Sequence, residues 1–376
     1  MHRRAFLHAS AVAPVALAAS LHEDLPKYRI VTRYEPAALP GMPGPYPGQV
    51  VRVHSEKSID ERSEKVDVPT VREMISQGMR VLTGDSDARD SWARLFNSAD
   101  VVGIKVNCSG APGIMSTPEV VGEIVRNLGG VGLKPNQIWI YERFQNQVSS
   151  VHYDRYVPAG VHIWTAEHDR GSIAGYDPTT YVDVNFFGEE DTRSNIARVI
   201  TEHLTKIINV PNMKDHGAAG VTGCLKNIAY GSFSNVARSH SGIKTNTYSF
   251  VGTLASVEPV RSRTVLAVMD GLRGVWHGGP FSPSRKFRFY PKQMMFGTDP
   301  VAVDRLLLDV IDSKRKAEHA TSVWDRSMAH IKAGRDYDDN PSIDRFIREP
   351  GHIEYAGSLG LGVYDLEKIQ VRKIEL

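Results

Sequence analysis

The chain has 376 residues, 41% hydrophobic and 23% charged, the composition of a globular protein with one large core or two modest ones. Lys and Arg number 45 against 43 Asp and Glu, and removal of a leader holding Arg3 and Arg4 takes the formal charge from +2 to zero. With only the short basic clusters Arg285-Lys286-Phe287-Arg288 and Lys314-Arg315-Lys316, this balance argues against a nucleic-acid partner, which must displace counterions with concentrated positive charge.

Cysteine usage narrows the chemistry further. Cys108 and Cys224 are too few for an in-chain four-cysteine iron–sulfur cluster or a disulfide framework. One disulfide between them and two separate thiols both stay open.

Residues 1–20 read as an export signal: paired arginines, then Phe6-Leu7, then an alanine-rich apolar run with small residues Ala16 and Ala18 near a cleavage point. The pattern is that of a twin-arginine leader, which implies the twin-arginine export machinery as a partner and a periplasmic or extracellular location. The run is short for a membrane span and no later stretch reaches spanning length, so a transmembrane protein is not expected. Residues 21–60 contain Leu39-Pro40-Gly41-Met42-Pro43-Gly44-Pro45-Tyr46-Pro47-Gly48, in which the prolines withhold donors and the glycines cost entropy. They are expected to form an extended arm ahead of a single α/β domain, residues 61–376.

Helical spacing of Val71, Met74, Ile75, Met79 and Leu82 predicts a helix over residues 71–82, and a shorter one is expected over 91–96. The apolar run 101–107 suits a buried parallel strand. Thr117-Pro118-Glu119 marks a helix start, closed at Gly129-Gly130, and 137–141 supplies the next strand. Strands are also expected at 161–165 and 181–184, a helix at 196–204, a strand at 207–210, and a buried strand at 264–269. A strand at 293–296 precedes Thr298-Asp299-Pro300, where Asp299 or Thr298 caps a helix over 301–313. The tail supplies a helix at 342–347, a glycine-rich loop at 357–362 and a strand at 369–374. Alternating apolar runs and amphipathic helices predict an α/β fold, a mostly parallel or mixed sheet flanked by helices.

Three strands carry their polar residues at the C-terminal end: Lys105, Asn107 and Cys108; then Lys214, Asp215 and His216; then Asp270, followed by His277. In an open parallel sheet those ends share one side, where ligands bind. Lys214, His216, Lys226 and Asp270 are therefore the candidate catalytic residues, the lysines stabilising negative charge and His216 and Asp270 serving as acid, base or metal ligand. A buried lysine can also form a Schiff base. Lys105, Asn107, Thr222 and Asn227 are candidate ligand-binding residues. Thr222-Gly223 ahead of Lys226 suits a carboxylate or phosphate at a helix start, though no Walker A ending is present. A divalent metal is a further expectation, with His216, Cys224, His240 and His277 as its candidate ligands. No His-Glu-x-x-His, Gly-x-Ser-x-Gly or strand-linked Gly-x-Gly-x-x-Gly motif occurs, so zincin, α/β-hydrolase and standard dinucleotide readings lack their usual support.

Val102-Gly103-Ile104-Lys105-Val106-Asn107, Lys214-Asp215-His216, Gly220-Val221-Thr222-Gly223-Cys224-Leu225-Lys226-Asn227 and Gly297-Thr298-Asp299-Pro300-Val301-Ala302-Val303-Asp304 together resemble the bacterial and archaeal domain of unknown function family 362. Some members of that family carry ferredoxin-like modules, which two cysteines do not supply here. The resemblance brings no established reaction. The sequence reads best as an exported enzyme acting on a small anionic ligand. The rival expectations are a periplasmic ligand- or metal-binding protein and an accessory protein of a redox complex, docking through its arm.

Overall fold

The computed structural model describes residues 25–168, 173–281, 284–332 and 339–376. The expected export leader, residues 1–20, lies outside them. Its strands are β1 (Arg29–Val31), β2 (Gln49–His54), β3 (Val102–Lys105), β4 (Ile138–Phe144), β5 (His162–Glu167), β6 (Tyr176–Asp183) and β7 (Arg193–Ala197). They continue with β8 (Lys206–Asn209), β9 (Asn212–His216), β10 (Gly220–Val221), β11 (Thr264–Val275), β12 (Arg288–Phe289), β13 (Gln293–Gly297) and β14 (Gln370–Glu375). The helices are α1 (Val68–Thr83), α2 (Ala88–Ala93), α3 (Pro118–Gly130), α4 (Gln145–Ser149) and α5 (Arg198–Glu202). After them come α6 (Gly223–Ser232), α7 (Thr247–Ala255), α8 (Val260–Arg263), α9 (Pro300–Ala317) and α10 (His352–Ser358).

Eleven of the described strands form one mixed sheet, with the order β14-β2-β13-β11-β8-β3-β4-β5 along its main path. The pairs β11/β8, β8/β3, β3/β4 and β4/β5 are parallel, as is β2/β14 at the opposite edge. Strand β13 runs antiparallel to both its neighbours. β1, β6 and β7 make a separate three-stranded sheet. This is the expected α/β fold with helices against a mixed sheet. Among the described residues no helix is long and apolar enough to cross a membrane.

Burial on both faces explains the near-continuous apolar strands. One face packs Met74, Ile75 and Met79 of α1, Trp92 of α2 and Val120, Val121 and Ile124 of α3 on Ile104, Ile208 and Val268. The other packs Leu225 and Ile228 of α6, Phe250 of α7 and Leu307, Leu308 and Ile311 of α9 on Ile207 and Ala267. Helix ends follow their caps. Asp67 accepts from Thr70 N at the start of α1, and Gly84 closes it in the left-handed region.

Of the two capping candidates for α9, Asp299 does the work: Oδ1 accepts from Ala302 N. Its Oδ2 accepts from Gly48 N and Val363 N, so one buried carboxylate joins the Pro/Gly stretch, α9 and the tail. Met42 in that stretch is fully buried. Part of the stretch assigned to the arm, Gln49–His54, is instead β2, an interior strand of the sheet.

Two expected helices differ. Residues 196–204 split into the end of β7 and the short α5, because Ile196 and Ala197 pair with Phe233 and Tyr176. Tertiary pairing outweighs local propensity there. Residues 342–347 form no helix, since Asp344 and Ile347 bridge to Ile331 and Lys244. Pro350 disfavours helical backbone at the residue before it, and the helix starts only at His352.

Two glycines test this packing. A Cβ on Gly78 in α1 would lie 2.3 Å from the Phe296 ring, whereas one on Gly129 in α3 meets nothing within 4 Å. Gly78→Ala is expected to lower the urea midpoint, overpacking costing about 1–3 kcal/mol against a helix-propensity gain of about 1 kcal/mol. Gly129→Ala is expected to raise the midpoint by about 0.4–1 kcal/mol in stability.

Candidate functional site

The lane beside β11 is shared by β8 and β9, which are separated at Val210 and Pro211. Pro has no N–H to give the ladder, yet the β11 register is the same on both sides of it, and the shift comes later, between Asn212 and Lys214. The chain then turns through residues 217–219 into β10, which pairs back on Asp215 and His216. Gly223 opens α6 at φ +59°, and a Cβ on it would sit 2.4 Å from Asp304 Oδ1. That close approach is functional for the helix: the Asp304 carboxylate accepts from Cys224 N at 2.5 Å and Leu225 N at 2.8 Å. The first amides of α6 therefore serve a carboxylate of the chain itself. The helix start expected to suit an anionic ligand group is thus filled from within.

Behind the helix start, three asparagines form a one-way relay. Lys214 Nζ donates to Asn107 Oδ1 (2.5 Å), Asn107 Nδ2 to Asn227 Oδ1 (2.9 Å), Asn227 Nδ2 to Asn209 Oδ1 (2.7 Å), and Asn209 Nδ2 to Cys224 O (2.8 Å). Because each amide oxygen faces a donor, the relay fixes the orientation of every amide in it. Lys105 joins from β3, its Nζ donating to Asn227 Oδ1, Val106 O and Glu142 Oε2. Four of the expected residues, Lys105, Asn107, Lys214 and Asn227, thus meet in one buried cluster.

The electrostatics of the cluster are unequal. Lys105 has Glu142 as its counter-ion at 2.9 Å. Lys214, with 0% exposure, donates only to neutral partners, Asn107 Oδ1 and Ser109 Oγ. Burial, opposed in part by Glu142, lowers its amine from the usual lysine range to about 7. Lys226, 6% exposed, has no hydrogen-bond or ion-pair partner among the described residues; its Nζ stands 3.9 Å from the Tyr230 ring centroid. Burial, with Lys214 and Arg143 nearby, depresses its basicity strongly.

Three imidazoles lie close enough for the Lys226 amine to act on them. His216 Nδ1 accepts from Ala218 N and Ala219 N, so a neutral ring carries its proton on Nε2. Burial, then Lys226 and His240, hold His216 well below the usual histidine value. The His240 ring stacks on His216 at 5.2 Å between centroids. Its Nδ1 donates to Ala237 O, and its Nε2 is buried without a partner. His352, from the tail, donates Nδ1–H to Glu349 O at 2.9 Å and likewise leaves Nε2 unpartnered. Burial lowers these two histidines to about 3 and about 4, with Lys226 adding to the shift in both. A cavity of about 670 Å³ opens at this point, lined in part by His240, Ser241, Gly242, Arg345 and Phe346.

The remaining candidates go elsewhere. Asp270 sits on the sheet face of Val268 and Leu272, opposite α6, where its carboxylate accepts from Thr117 N (2.7 Å) and Leu272 N (3.1 Å). It holds the start of α3, whose Thr117 makes no side-chain cap. His277 Nδ1 faces Arg315 Nη1 at 3.2 Å, and the Cys224 thiol lies against Asp304. Both cysteines are buried free thiols. Of the four expected metal ligands, only His216 and His240 adjoin. Among the described residues no three His, Cys, Asp or Glu side chains assemble as a metal-holding group. Thr222 Oγ1 is buried and unpartnered.

Several site residues carried little sequence signal. Arg348 donates to Asp215 Oδ1 and His216 O while pairing with Asp344 through Nε and Nη2, thereby fixing the backbone beneath His216. Glu142 was legible as a charge after an apolar strand, and Asp304 as a carboxylate within an apolar helical stripe. His352 had no local pattern to mark it. Removing the Asp304 carboxylate should leave two buried amides unpaired, each costing about 1–3 kcal/mol. Asp304→Ala is therefore expected to lose more stability in urea melts than Asp304→Asn, which keeps one acceptor.

No curated protein matches the chain. The family described as Domain of unknown function (DUF362) matches residues 102–309, which run from the first residue of β3 into α9 and hold the relay, Lys226, His216 and Asp304. By that match, which covers more than half its length, the chain belongs to the DUF362 family.

Proposed function

We propose that the protein is an enzyme acting on a small anionic molecule, which it binds in the pocket bounded by Lys226, His216, His240 and Arg345. The observation that carries this reading is Lys226. Lys105, Arg315 and Arg348 each have a carboxylate of the chain within ion-pair distance, whereas Lys226 has none among the described residues. Holding it as an ammonium without a counter-ion would cost several kcal/mol, on the order of 3–5 kcal/mol when a pair is broken, which is why its basicity is depressed. An arriving carboxylate or phosphate removes that cost. His216 Nε2–H supplies a neutral donor beside the ammonium, suited to a developing negative charge or to proton transfer. Lys214, with its amine near neutrality, is the proton-exchanging group behind them.

Location belongs to the same proposal. The leader with Arg3-Arg4 would deliver the protein through the twin-arginine machinery to the periplasm or exterior, and replacing both arginines with lysine is then expected to leave it in the cytoplasmic fraction.

Calorimetric titration with acetate, inorganic phosphate and short carboxylates tests the pocket. Binding is expected to weaken at least about tenfold in Lys226→Met, the loss of one charge-assisted hydrogen bond of about 1.5–3 kcal/mol. The sign of the pH dependence follows from Lys214 at about 7. A bound anion favours the ammonium forms, so the complex holds more protons than the free protein near neutrality. Affinity for a monoanion should fall as pH rises through about 7, with proton uptake visible when buffers of different ionisation enthalpy are compared. Wild-type protein that binds none of these anions would sink the reading.

A further inference from the structure

The pocket contains more than positive charge. His240 and His352 each spend Nδ1–H on a backbone carbonyl, Ala237 O and Glu349 O, so in the neutral ring Nε2 is an acceptor. Both Nε2 atoms are buried and unpartnered, and His352 is fully enclosed. A pocket meant only for an anion has no use for two buried lone pairs, which repel one. Buried acceptors left unsatisfied cost about 1–3 kcal/mol each, so they call for donors on the ligand. His240 lines the cavity and stacks on His216, and His352, nearby along the same stretch of the tail that closes the cavity at Arg345 and Phe346, leaves its Nε2 without a partner.

We infer that the ligand carries a hydroxyl group as well as its anionic group: a hydroxy-carboxylate or a hydroxyl-bearing phosphate ester, its acidic end on Lys226 and His216 Nε2–H, its hydroxyl donating to His352 or His240 Nε2. This rests on the anion-pocket reading and narrows it. The neutral state of both rings, held by burial, keeps the acceptors available across the physiological range. Thr222 Oγ1, buried and also unpartnered, is a hydroxyl on the chain's side that can turn to either role. The shared chemistry covers two sources, a carboxylate and a phosphate ester, which the probes separate.

The experiment uses matched pairs with the mature protein: glycolate against acetate, and glycerol 1-phosphate against propyl phosphate, by calorimetric titration at pH 7.5. In whichever class binds, the hydroxyl-bearing member is expected to bind at least about tenfold tighter, the penalty for leaving a buried acceptor unpaired. His352→Phe, which keeps a ring and removes the acceptor, should erase much of that preference, bringing the affinity ratio within each pair toward one. Lys226→Met should weaken both members of a pair. If His352→Phe fails to fold, as judged by circular dichroism, the wild-type pairs still decide. Equal affinity within both pairs overturns the hydroxyl inference and leaves the anion pocket standing. No binding of any member overturns both. Stoichiometric zinc or nickel binding that is lost in His352→Phe would assign the two lone pairs to a metal and overturn the inference in a third way.

Discussion

A lysine amine whose hydrogen bonds go to neutral partners is a demanding thing to bury, and the relay from Lys214 through Asn107, Asn227 and Asn209 to Cys224 O shows how it is done here. Each amide both donates and accepts, so its dipole points along the relay and none can flip without breaking two bonds. The relay crosses β3, the β8–β9 lane and α6. Strand spacing, helix position and lysine position are therefore set together. Neighbouring polar groups in low dielectric reinforce one another when satisfied and are costly when not, which makes such a cluster an all-or-none feature.

Around this centre the charges are sorted. On one side Glu142 neutralises Lys105. At the back, Asp215, Arg348, Asp344 and Arg315 form a fully buried network that binds the tail to the hairpin carrying His216. At the helix start, Asp304 occupies the amides that would otherwise draw an anion there. That leaves Lys226, against an aromatic face and near imidazoles, with no carboxylate partner among the described residues. The chain satisfies its own helix dipole internally and leaves the Lys226 side chain without a carboxylate among the described residues. A side-chain cation can lose its proton, while a helix dipole cannot.

Much of this was legible in the sequence. Apolar strand runs with polar ends predicted that Lys105, Asn107 and Lys214 would gather on one side of a parallel sheet, and they do. The topology rule needs only strand direction, which the strand–helix alternation supplies. Asp270 shows where the rule stops. It lies on a strand of the right direction, but side chains alternate between faces, and its parity places it with Val268 against α3. Face cannot be read until register is known. His277, beyond the end of β11, and Cys224, on α6, face Arg315 and Asp304 instead. His352 and Arg348 come from a segment whose local pattern suggested a helix starting ten residues early, so nothing nearby in the sequence tied them to the pocket.

The pairing of β2 with β14 sets an order of assembly. Residues 49–54 take their second partner from residues 370–375, the last strand of the chain, along six consecutive parallel positions. On a ribosome that synthesises from the N-terminus, the β2 edge waits unpaired while every other strand of the sheet emerges, and the tail that brings Arg348 and His352 arrives only shortly before β14. Contacts this distant in sequence are slow to form and leave partly folded forms with open edges. A nascent chain could lay down the relay of Lys214 and its asparagines, yet it would lack the cavity wall of Arg345 and Phe346 until that segment had emerged. The cavity wall is thus completed late, and a cell would meet the earlier form, with its β2 edge open, as a client for its chaperones.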